Sequence, residues 1–213
     1  MSKTTRSEKE IEEIKKTILQ EALELLQDEG FDNLSMYKLG KRTHMTAANL
    51  YNYYKNKDQL IIAIHKKTFE LLYHMLVDAV AMEQDPVEKL KKVIKTFLNF
   101  GKNYPNFYDL MFNRRVPQVS DYKGTPEEII SRDEYQSSIR NLNLVIDVGK
   151  DIISLHPELE GMDAKFYFIK MFGELHGILS LYNSGILKEI IEEPDLLIDR
   201  ITDDFLTPYL SKK

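Results

Sequence analysis

Residues 35–54 read SMYKLGKRTHMTAANLYNYY, and this stretch decides the fold class of the chain around it. It contains four basic residues counting His44, no acidic residue, and three tyrosines in its last four positions. The pattern predicts two short helices, at about 35–42 and 46–53, joined by a tight turn at His44. Two short helices around a tight turn, the second of them polar, outline a helix-turn-helix.

The rest of the 213-residue chain is also predicted to be helical, which makes the fold all-α with about nine helices. Apolar residues recur with the 3.6-residue period of a helix from Ile11 to Leu26, and again in longer segments up to a last helix beginning at Pro194. No stretch alternates as a strand would, and no segment repeats at a fixed period. We expect a three-helix domain over residues 1–58 and a larger helical domain over residues 59–213.

The composition excludes several classes of protein. No apolar run approaches the roughly 20 residues needed to span a bilayer, and the N-terminus has no apolar signal region, so we expect a cytoplasmic protein. The absence of cysteine excludes disulfides and thiolate catalysis. The five histidines lack HExxH spacing, and neither a Walker A nor a GxSxG motif is present. We therefore expect no enzyme, no metal and no cofactor.

Charge is distributed unevenly along the chain. The formal net charge is −5, yet residues 1–58 hold ten basic and ten acidic side chains, so the acidic excess lies beyond residue 58. Residues 35–57 contain five lysines and arginines and no acidic residue. A local cationic surface favours contact with phosphates. The same residue types also fit a solvated helix face with a few core aromatics, and the pattern alone leaves both interpretations open.

If the motif binds DNA, the second helix offers short or flat side chains that fit a major groove. Asn49 can pair with an adenine edge, and Thr46 is a good N-cap that turns the free amides of the helix toward the DNA. The residues predicted to read or approach bases are Lys38, Ala47, Ala48, Asn49 and Tyr51, and those predicted to hold phosphates are Ser35, Thr46, Tyr53 and Lys57.

Residues 17–60 resemble the DNA-binding domain of the TetR (tetracycline repressor) family of bacterial regulators. The family ends its first helix with glycine and an aromatic residue, which here are Gly30 and Phe31. Its I-A-x-x-A-G-V-S segment corresponds to LGKRTHMT at 39–46, and its closing L-Y-x-H/Y-F corresponds to LYNYY at 50–54. The resemblance runs continuously over about 44 residues.

The sequence departs from the family pattern at the turn and before it. His44 stands where the family usually has glycine, and we expect it to adopt a positive φ, a conformation in which histidine is enriched. Gly40 and Thr43 replace alanines of the family.

The resemblance implies a ligand-responsive, sequence-specific regulator of transcription. Such a protein binds a palindromic operator as a homodimer and, in its commonest form, is a repressor that a small-molecule effector releases from double-stranded DNA. Residues 172–181 also resemble the C-terminal signature of one subgroup, with Phe172 in place of its tryptophan. A helical ligand-binding or interaction protein that does not bind DNA is the alternative.

The resemblance also implies where the dimer contact and the effector pocket lie. The family pairs its last two helices with those of a partner. The predicted interface therefore includes Phe168, Ile169, Leu175, Leu179, Tyr182, Ile201, Phe205 and Tyr209. An apolar pocket for an aromatic or apolar effector is predicted at Phe97, Phe107, Tyr108, Met111, Phe112, Tyr135, Phe166, Phe172 and His176. Each of these residues also fits a place in the core, and His176 fits either role.

Overall fold

The computed structural model describes the backbone of residues 6–157 and 160–210, and the side chains of this part up to Phe205. Within these ranges the chain forms ten α-helices and no strand, which confirms the predicted all-α class. The helices are α1 (Glu8–Glu29), α2 (Met36–Arg42), α3 (Ala47–Leu50), α4 (Lys57–Val80), α5 (Pro86–Asn103), α6 (Pro105–Tyr108), α7 (Glu128–Leu155), α8 (Ala164–Asn183), α9 (Ile186–Ile190) and α10 (Pro194–Leu210). The side chain of Tyr209 lies outside the described residues.

The helices form two compact units. The first unit combines the residues up to Thr68 with Asn106–Ser137, and the second combines Phe69–Pro105 with the residues from Ser138 onward. The chain passes between the units inside α4, inside α6 and inside α7, so each of these helices contributes to both. The predicted domain boundary at residue 58 stays a prediction. None of the helices in the described part of the chain is long and apolar enough to cross a membrane.

Polar side chains at the helix starts satisfy backbone amides that have no partner within the helix. Ser7 and Glu10 form the predicted capping box of α1, in which the Glu10 amide donates to Ser7 Oγ at 3.3 Å. The Gln59 amide donates to Asn56 Oδ1 at 2.8 Å at the start of α4. Asp85 caps α5 by accepting from two amides of its first turn. These interactions are local. The spacing of Ser7 with Glu10, of Asn56 with Gln59 and of Asp85 with Glu88 in the sequence predicts a helix start at each of the three places.

The backbones of α2 and α3 approach each other closely at Gly40. A Cβ atom at this position would lie 2.6 Å from the backbone oxygen of Met45, which is shorter than any contact that a real side chain tolerates. The turn between the helices passes through His44, whose φ of 55° confirms the predicted positive value. Leu39 and Leu50 pack from either side of this turn and are fully buried. Together these contacts hold the helix-turn-helix.

Polar contacts within the first unit connect the helix-turn-helix region to Asn106–Ser137. Asn56 Nδ2 and Gln59 Nε2 donate to the same carboxylate oxygen of the buried Glu127, at 2.9 and 3.0 Å. The Arg114 guanidinium donates two hydrogen bonds of 2.9 Å to Asp32. Since a bidentate pair fixes both distance and orientation, Arg114 holds the segment after α1 in one place.

The segment 113–126 differs from the surface loop that its two prolines and lack of periodicity predict. It contains a 3₁₀ helix at Val119–Tyr122, and the side chains of Val116 and Tyr122 are buried. Burial raises the pKa of the Tyr122 hydroxyl to about 12. Two isolated apolar residues separated by polar ones show no helical period, so the sequence did not reveal that this loop packs inward.

The core of the second unit forms where α5 packs on α8 and α10. The inward face of α5 is apolar at Leu90, Val93, Ile94, Phe97 and Leu98, all of which are buried. Asn183 at the end of α8 donates to the backbone oxygen of Gly101 at 3.1 Å. The period of α5 therefore predicted its buried face correctly.

Replacing Gly40 by alanine should destabilise the protein. The added methyl group cannot fit beside the Met45 carbonyl unless α3 moves, and overpacking of this kind costs about 1–3 kcal/mol of unfolding free energy. The matched control is Gly149→Ala in α7, where the new Cβ would lie at an ordinary 3.6 Å from Ala164 Cβ. Urea denaturation of both variants measures the difference. Equal stability of Gly40→Ala and the natural protein would show that the close approach does not constrain the motif.

Candidate DNA-binding surface and ligand cavity

The second helix of the motif is shorter than the sequence predicted. The Asn49 amide donates to Thr46 Oγ1 at 3.1 Å, which confirms Thr46 as the N-cap, but α3 ends at Leu50 instead of residue 53. After Leu50 the amides of residues 52 and 53 donate three residues back, which tightens the chain into a 3₁₀-type turn. A helix of four residues has a small macrodipole, so the predicted orientation of free amides toward DNA contributes little.

The side of α3 away from the core presents small and polar groups. Ala48, Tyr51 and Asn52 are exposed, while Ala47 and Asn49 are half-buried. Asn52 Nδ2 donates to Asn49 Oδ1 at 3.2 Å, and this bond orients the side-chain amide of Asn49. The two donor hydrogens of Asn49 remain available to a base edge, since the bond uses only its carbonyl oxygen.

Tyr53 does not lie where the sequence placed it. The sequence predicted a phosphate contact, but the ring is 5% exposed and belongs to the core of the first unit. The Arg6 guanidinium lies 5.9 Å from the ring centroid and contacts the Tyr53 hydroxyl. Tyr54 is buried as well, and its hydroxyl donates to the Lys15 carbonyl at 3.3 Å. The tyrosines at 53 and 54 therefore anchor the end of the motif, and Tyr51 alone of the three is exposed.

Arg42 contributes little positive charge to the surface. Its guanidinium contacts carboxylates of Glu21, Glu24 and Asp28 on α1, at 3.2, 3.3 and 3.0 Å. The hydrogen bond to Asp28, followed by the one to Glu21, raises the pKa of Arg42 above its usual value. Arg42 thus joins α2 to α1, a role that its position in a basic stretch did not show.

Lys38 is also engaged within the protein. Its ammonium lies 2.6 Å from Glu29 Oε2 and 2.7 Å from Asn33 Oδ1. Contact with a base would require these two partners to be released, which corrects the prediction that Lys38 approaches bases directly. Ser35, predicted as a phosphate contact, uses its hydroxyl to cap α2 by accepting from the Lys38 amide at 3.2 Å.

Three other lysines remain open on this surface. Lys41, Lys55 and Lys57 are exposed, and none of them forms an ion pair within the described part of the chain. The Lys41 ammonium lies 4.5 Å from the ring centroid of Tyr37, which is 67% exposed. Neither Tyr37 nor Lys41 is among the residues that the sequence predicted to contact DNA individually. Their spacing of four residues, with Leu39 and Gly40 buried between them, is the signal that places both on the outer face of α2.

The predicted effector residues are divided between the two units. The first unit contains Phe107, Tyr108, Met111, Phe112 and Tyr135, and the second contains Phe97, Phe166, Phe172 and His176. Tyr108 is fully buried and serves the core, whereas Tyr135 and Phe166 are exposed. The prediction of one pocket built from all nine residues stays a prediction.

One part of the predicted effector set does form a cluster. The ring centroid of Phe172 lies 5.7 Å from that of Phe97 and 5.8 Å from that of His176, with the His176 ring stacked on it. Burial lowers the pKa of His176, since the charged imidazolium loses hydration in this environment. The imidazole therefore stays neutral more readily than a free histidine. A neutral imidazole fits both roles that the sequence left open, so the role of His176 stays a prediction.

A different set of residues encloses a cavity of about 400 Å³ in the second unit. The cavity lies between α5, α7, α8 and α10, and most of its wall is apolar. Its lining consists of Leu90, Val145, Gly149, Ile152, Ile153, Met162, Ala164, Tyr167, Phe168, Lys170, Met171, Glu174, Asp204 and Phe205. Phe168 and Phe205, which the sequence assigned to the dimer interface, are part of this wall. The sequence missed the site because its residues are dispersed over four helices.

The outer face of α8 is apolar and open. Phe166 is 60% exposed and Ile169 is 57% exposed, and they are followed at helical spacing by Gly173 and Gly177. Apart from the adjoining residues and backbone of α8 itself, no atom of the described residues lies within 4 Å of a Cβ built on either glycine. Leu175 and Leu179, which were predicted to contact a partner, are instead buried in the core of their own unit. Burial of these two leucines within one chain removes them from a surface that a partner could contact, while the predicted use of α8 in a dimer contact stays a prediction.

Within the described part of the chain, no three histidine or acidic side chains are grouped closely enough to hold a metal ion.

Comparison with known proteins places this geometry in context. Residues 18–64 match the family described as bacterial regulatory proteins, tetR family. No curated protein sequence matches the chain.

Solved structures match over nearly the whole chain. The transcriptional regulator FadR from Bacillus subtilis, in complex with stearoyl-CoA, is 15% identical with a TM-score of 0.67, over 90% of this chain and 97% of that chain. A TetR-like transcriptional regulator from Rhodococcus sp. RHA1 is 19% identical with a TM-score of 0.59, over 94% and 97%. AibR in complex with isovaleryl coenzyme A and operator DNA is 17% identical with a TM-score of 0.59, over 91% and 96%. At these identities the likeness concerns the fold.

Proposed function

Because this chain carries at residues 18–64 the DNA-binding domain of the tetR family of bacterial regulatory proteins, we propose that it is a ligand-responsive, sequence-specific regulator of transcription. It binds a palindromic operator as a homodimer in the cytoplasm and represses transcription until a small molecule releases it. The observation that supports this most strongly is the open cationic and tyrosine-bearing surface on its helix-turn-helix.

That surface has the components of a DNA contact. Lys41, Lys55 and Lys57 supply charges for phosphates, and Tyr51 supplies a hydroxyl beside them. Ala48 and Asn49 present a methyl group and an amide at the centre, where base edges are read. Residues 35–57 contain no acidic side chain that would repel phosphates, and the nearest acidic residues on α1 are engaged by Lys38 and Arg42. The surface is therefore complementary to a polyanion.

Two copies of the chain are needed for useful specificity, since one short recognition helix reads few base pairs. Two-fold related helices read half-sites about 34–36 Å apart. The apolar outer face of α8 supports the pairing, because an exposed patch of this kind on a globular protein marks an interface. Its two glycines allow a second helix to approach closely. We propose that this face packs against its own copy around a two-fold axis.

The effector binds in the cavity of the second unit, whose volume lies within the usual range of about 300–1,000 Å³ for small-molecule sites. FadR from Bacillus subtilis and AibR were solved with acyl-CoA ligands, which supports ligand binding in proteins of this fold. The ligand releases the protein from DNA if it prefers the conformation that does not bind DNA. To shift the ratio of that conformation to the DNA-binding one from 1:99 to 99:1, the ligand must bind it about 10⁴-fold more tightly.

Fluorescence anisotropy with labelled genomic fragments tests DNA binding. The proposal requires one or a few fragments that bind at least about 10³-fold more tightly than the remainder at physiological salt. If binding is absent at low salt, or does not discriminate between fragments, the chain is instead a helical ligand-binding protein that does not recognise DNA.

Asn49→Ala should relax sequence preference at one position of each half-site. Losing the amide removes discrimination worth about 1–3 kcal/mol at the contacted base pair, while phosphate contacts are unchanged. Binding to an operator and to variants with single base-pair substitutions measures this effect. Uniform weakening across all variants would mean that Asn49 does not read a base.

Lys57→Ala should weaken binding to every sequence alike. Each phosphate contact contributes about 0.9 to the slope of log K against log salt, so the variant should show a slope smaller by about one per protomer. Lys188→Ala on α9, an exposed lysine of the second unit, serves as the control and should not change the slope. An unchanged slope for Lys57→Ala would remove this lysine from the interface.

Ile169→Glu should convert the dimer to a monomer. A carboxylate at the centre of the α8 face would be buried against its symmetry mate, where two like charges are strongly unfavourable. Ile129→Glu on α7 is the matched control, because Ile129 is also highly exposed but belongs to the first unit and not to the α8 face. Sedimentation equilibrium distinguishes the outcomes. A variant that remains dimeric would place the interface elsewhere.

A further inference from the structure

The cavity of the second unit combines an apolar wall with an unbalanced set of charges. Three of its lining residues are charged, namely Lys170, Glu174 and Asp204. We propose that the ligand of this cavity has an apolar body and a head group with a single positive charge, as an amine with a hydrocarbon chain does. This inference rests on the proposed function, since it names the chemical class of the effector.

The wall determines the body of the ligand. Leu90, Val145, Ile152 and Met171 contribute aliphatic or thioether surface, and Phe205 contributes an aromatic ring. A hydrocarbon group gains free energy in proportion to the apolar area that it removes from water. At about 400 Å³ the cavity accommodates a hydrocarbon of moderate size. The wall itself offers few polar atoms, so the charged side chains select the head group of the ligand.

The carboxylates of the cavity are not engaged by basic side chains. Elsewhere in the second unit acidic residues do have such partners, as Lys91 with Asp203 at 3.6 Å and Lys102 with Asp195 show. Neither Glu174 nor Asp204 forms an ion pair within the described part of the chain. Both therefore retain their attraction for an incoming cation.

Lys170 offsets only part of this negative charge. It precedes Glu174 by four residues on α8, and residues at this spacing are neighbours on the helix surface. One lysine against two carboxylates leaves the lining with a formal charge of one negative unit at neutral pH. An anionic head group would therefore meet net repulsion, whereas a cationic one would be attracted.

The surrounding chain reinforces the preference. Residues beyond 58 hold nineteen basic and twenty-four acidic side chains, so this part of the protein has a formal net charge of −5. A net negative domain raises the local concentration of cations near its openings and lowers that of anions. Local and long-range electrostatics thus favour the same sign of ligand.

Isothermal titration calorimetry on the full chain, with chemically matched probes below their micelle concentrations, tests the proposal. The probes are decyltrimethylammonium and decanoate, which share the same hydrocarbon length and differ in head-group charge. The cation should bind with a Kd at least about tenfold lower, since two exposed charge contacts of modest strength combine to this size. Decanoate binding as tightly as the cation would overturn the proposal.

Variants assign the effect to the cavity. Glu174→Gln with Asp204→Asn should raise the Kd of the cation roughly three- to tenfold and bring it near that of decanoate. Lys170→Gln should lower the Kd of the cation. Glu189→Gln, an exposed carboxylate on α9 outside the lining, should change neither value. If the double variant and Glu189→Gln change the Kd of the cation equally, the net charge of the protein acts at a distance. The cavity carboxylates would then not select the head group of the ligand.

A third variant tests the location, since all charge variants act at exposed positions. Met171→Trp fills part of the cavity and should weaken binding of the cationic probe. If the affinity is unchanged and circular dichroism shows that the variant is folded, the binding site lies elsewhere. DNA binding measured on the same samples separates the two proposals. A cation that binds the cavity without changing DNA affinity would contradict effector release and leave the ligand class supported.

Discussion

The close approach of α2 and α3 at Gly40 is the constraint on which the DNA-binding unit depends. With no side chain at this position, the Met45 carbonyl can lie where a Cβ atom would otherwise be, and α3 can cross α2 almost in backbone contact. The chain reverses within His44, in a left-handed conformation that few residues adopt without strain. This geometry buries Leu39 and Leu50 and turns Ala48 and Tyr51 outward. The exposed surface is therefore a consequence of one small residue.

Electrostatics divide the basic residues of the motif into two groups. Arg42 and Lys38 pair with carboxylates of α1 and stabilise the arrangement of the first helices. Lys41, Lys55 and Lys57 have no such ion pairs among the described residues and keep their charge for a ligand. The acidic residues of α1 thereby hold the motif together without cancelling the whole field at its surface. A protein with a net negative charge can present a cationic surface in this way, since screening in salt limits the influence of charges beyond about 10 Å.

Helix α8 has a buried side and an exposed side, and the exposed side includes both the cavity border and the open apolar surface. Leu175 and Leu179 belong to the core, Lys170 and Glu174 border the cavity, and Ile169 with its neighbouring glycines forms the open outer face. Because these faces share one rigid helix, a ligand that shifts α8 from the cavity side would also alter the outer face. The proposed effector site and the proposed dimer contact are therefore mechanically related.

The sequence by itself determined the all-α class, the helix starts at Ser7, Asn56 and Asp85, and the helix-turn-helix with its positive φ at His44. These features depend on groups a few residues apart, so the spacing of residues along the chain predicts them directly. The tertiary structure alone decided that Tyr53 is buried, that Lys38 is paired with Glu29, and that the cavity lies between four helices. It also decided which face of α8 is covered, since an apolar helix can turn several faces inward. Such outcomes depend on which distant segments pack together, and a periodic pattern within one helix does not contain that information.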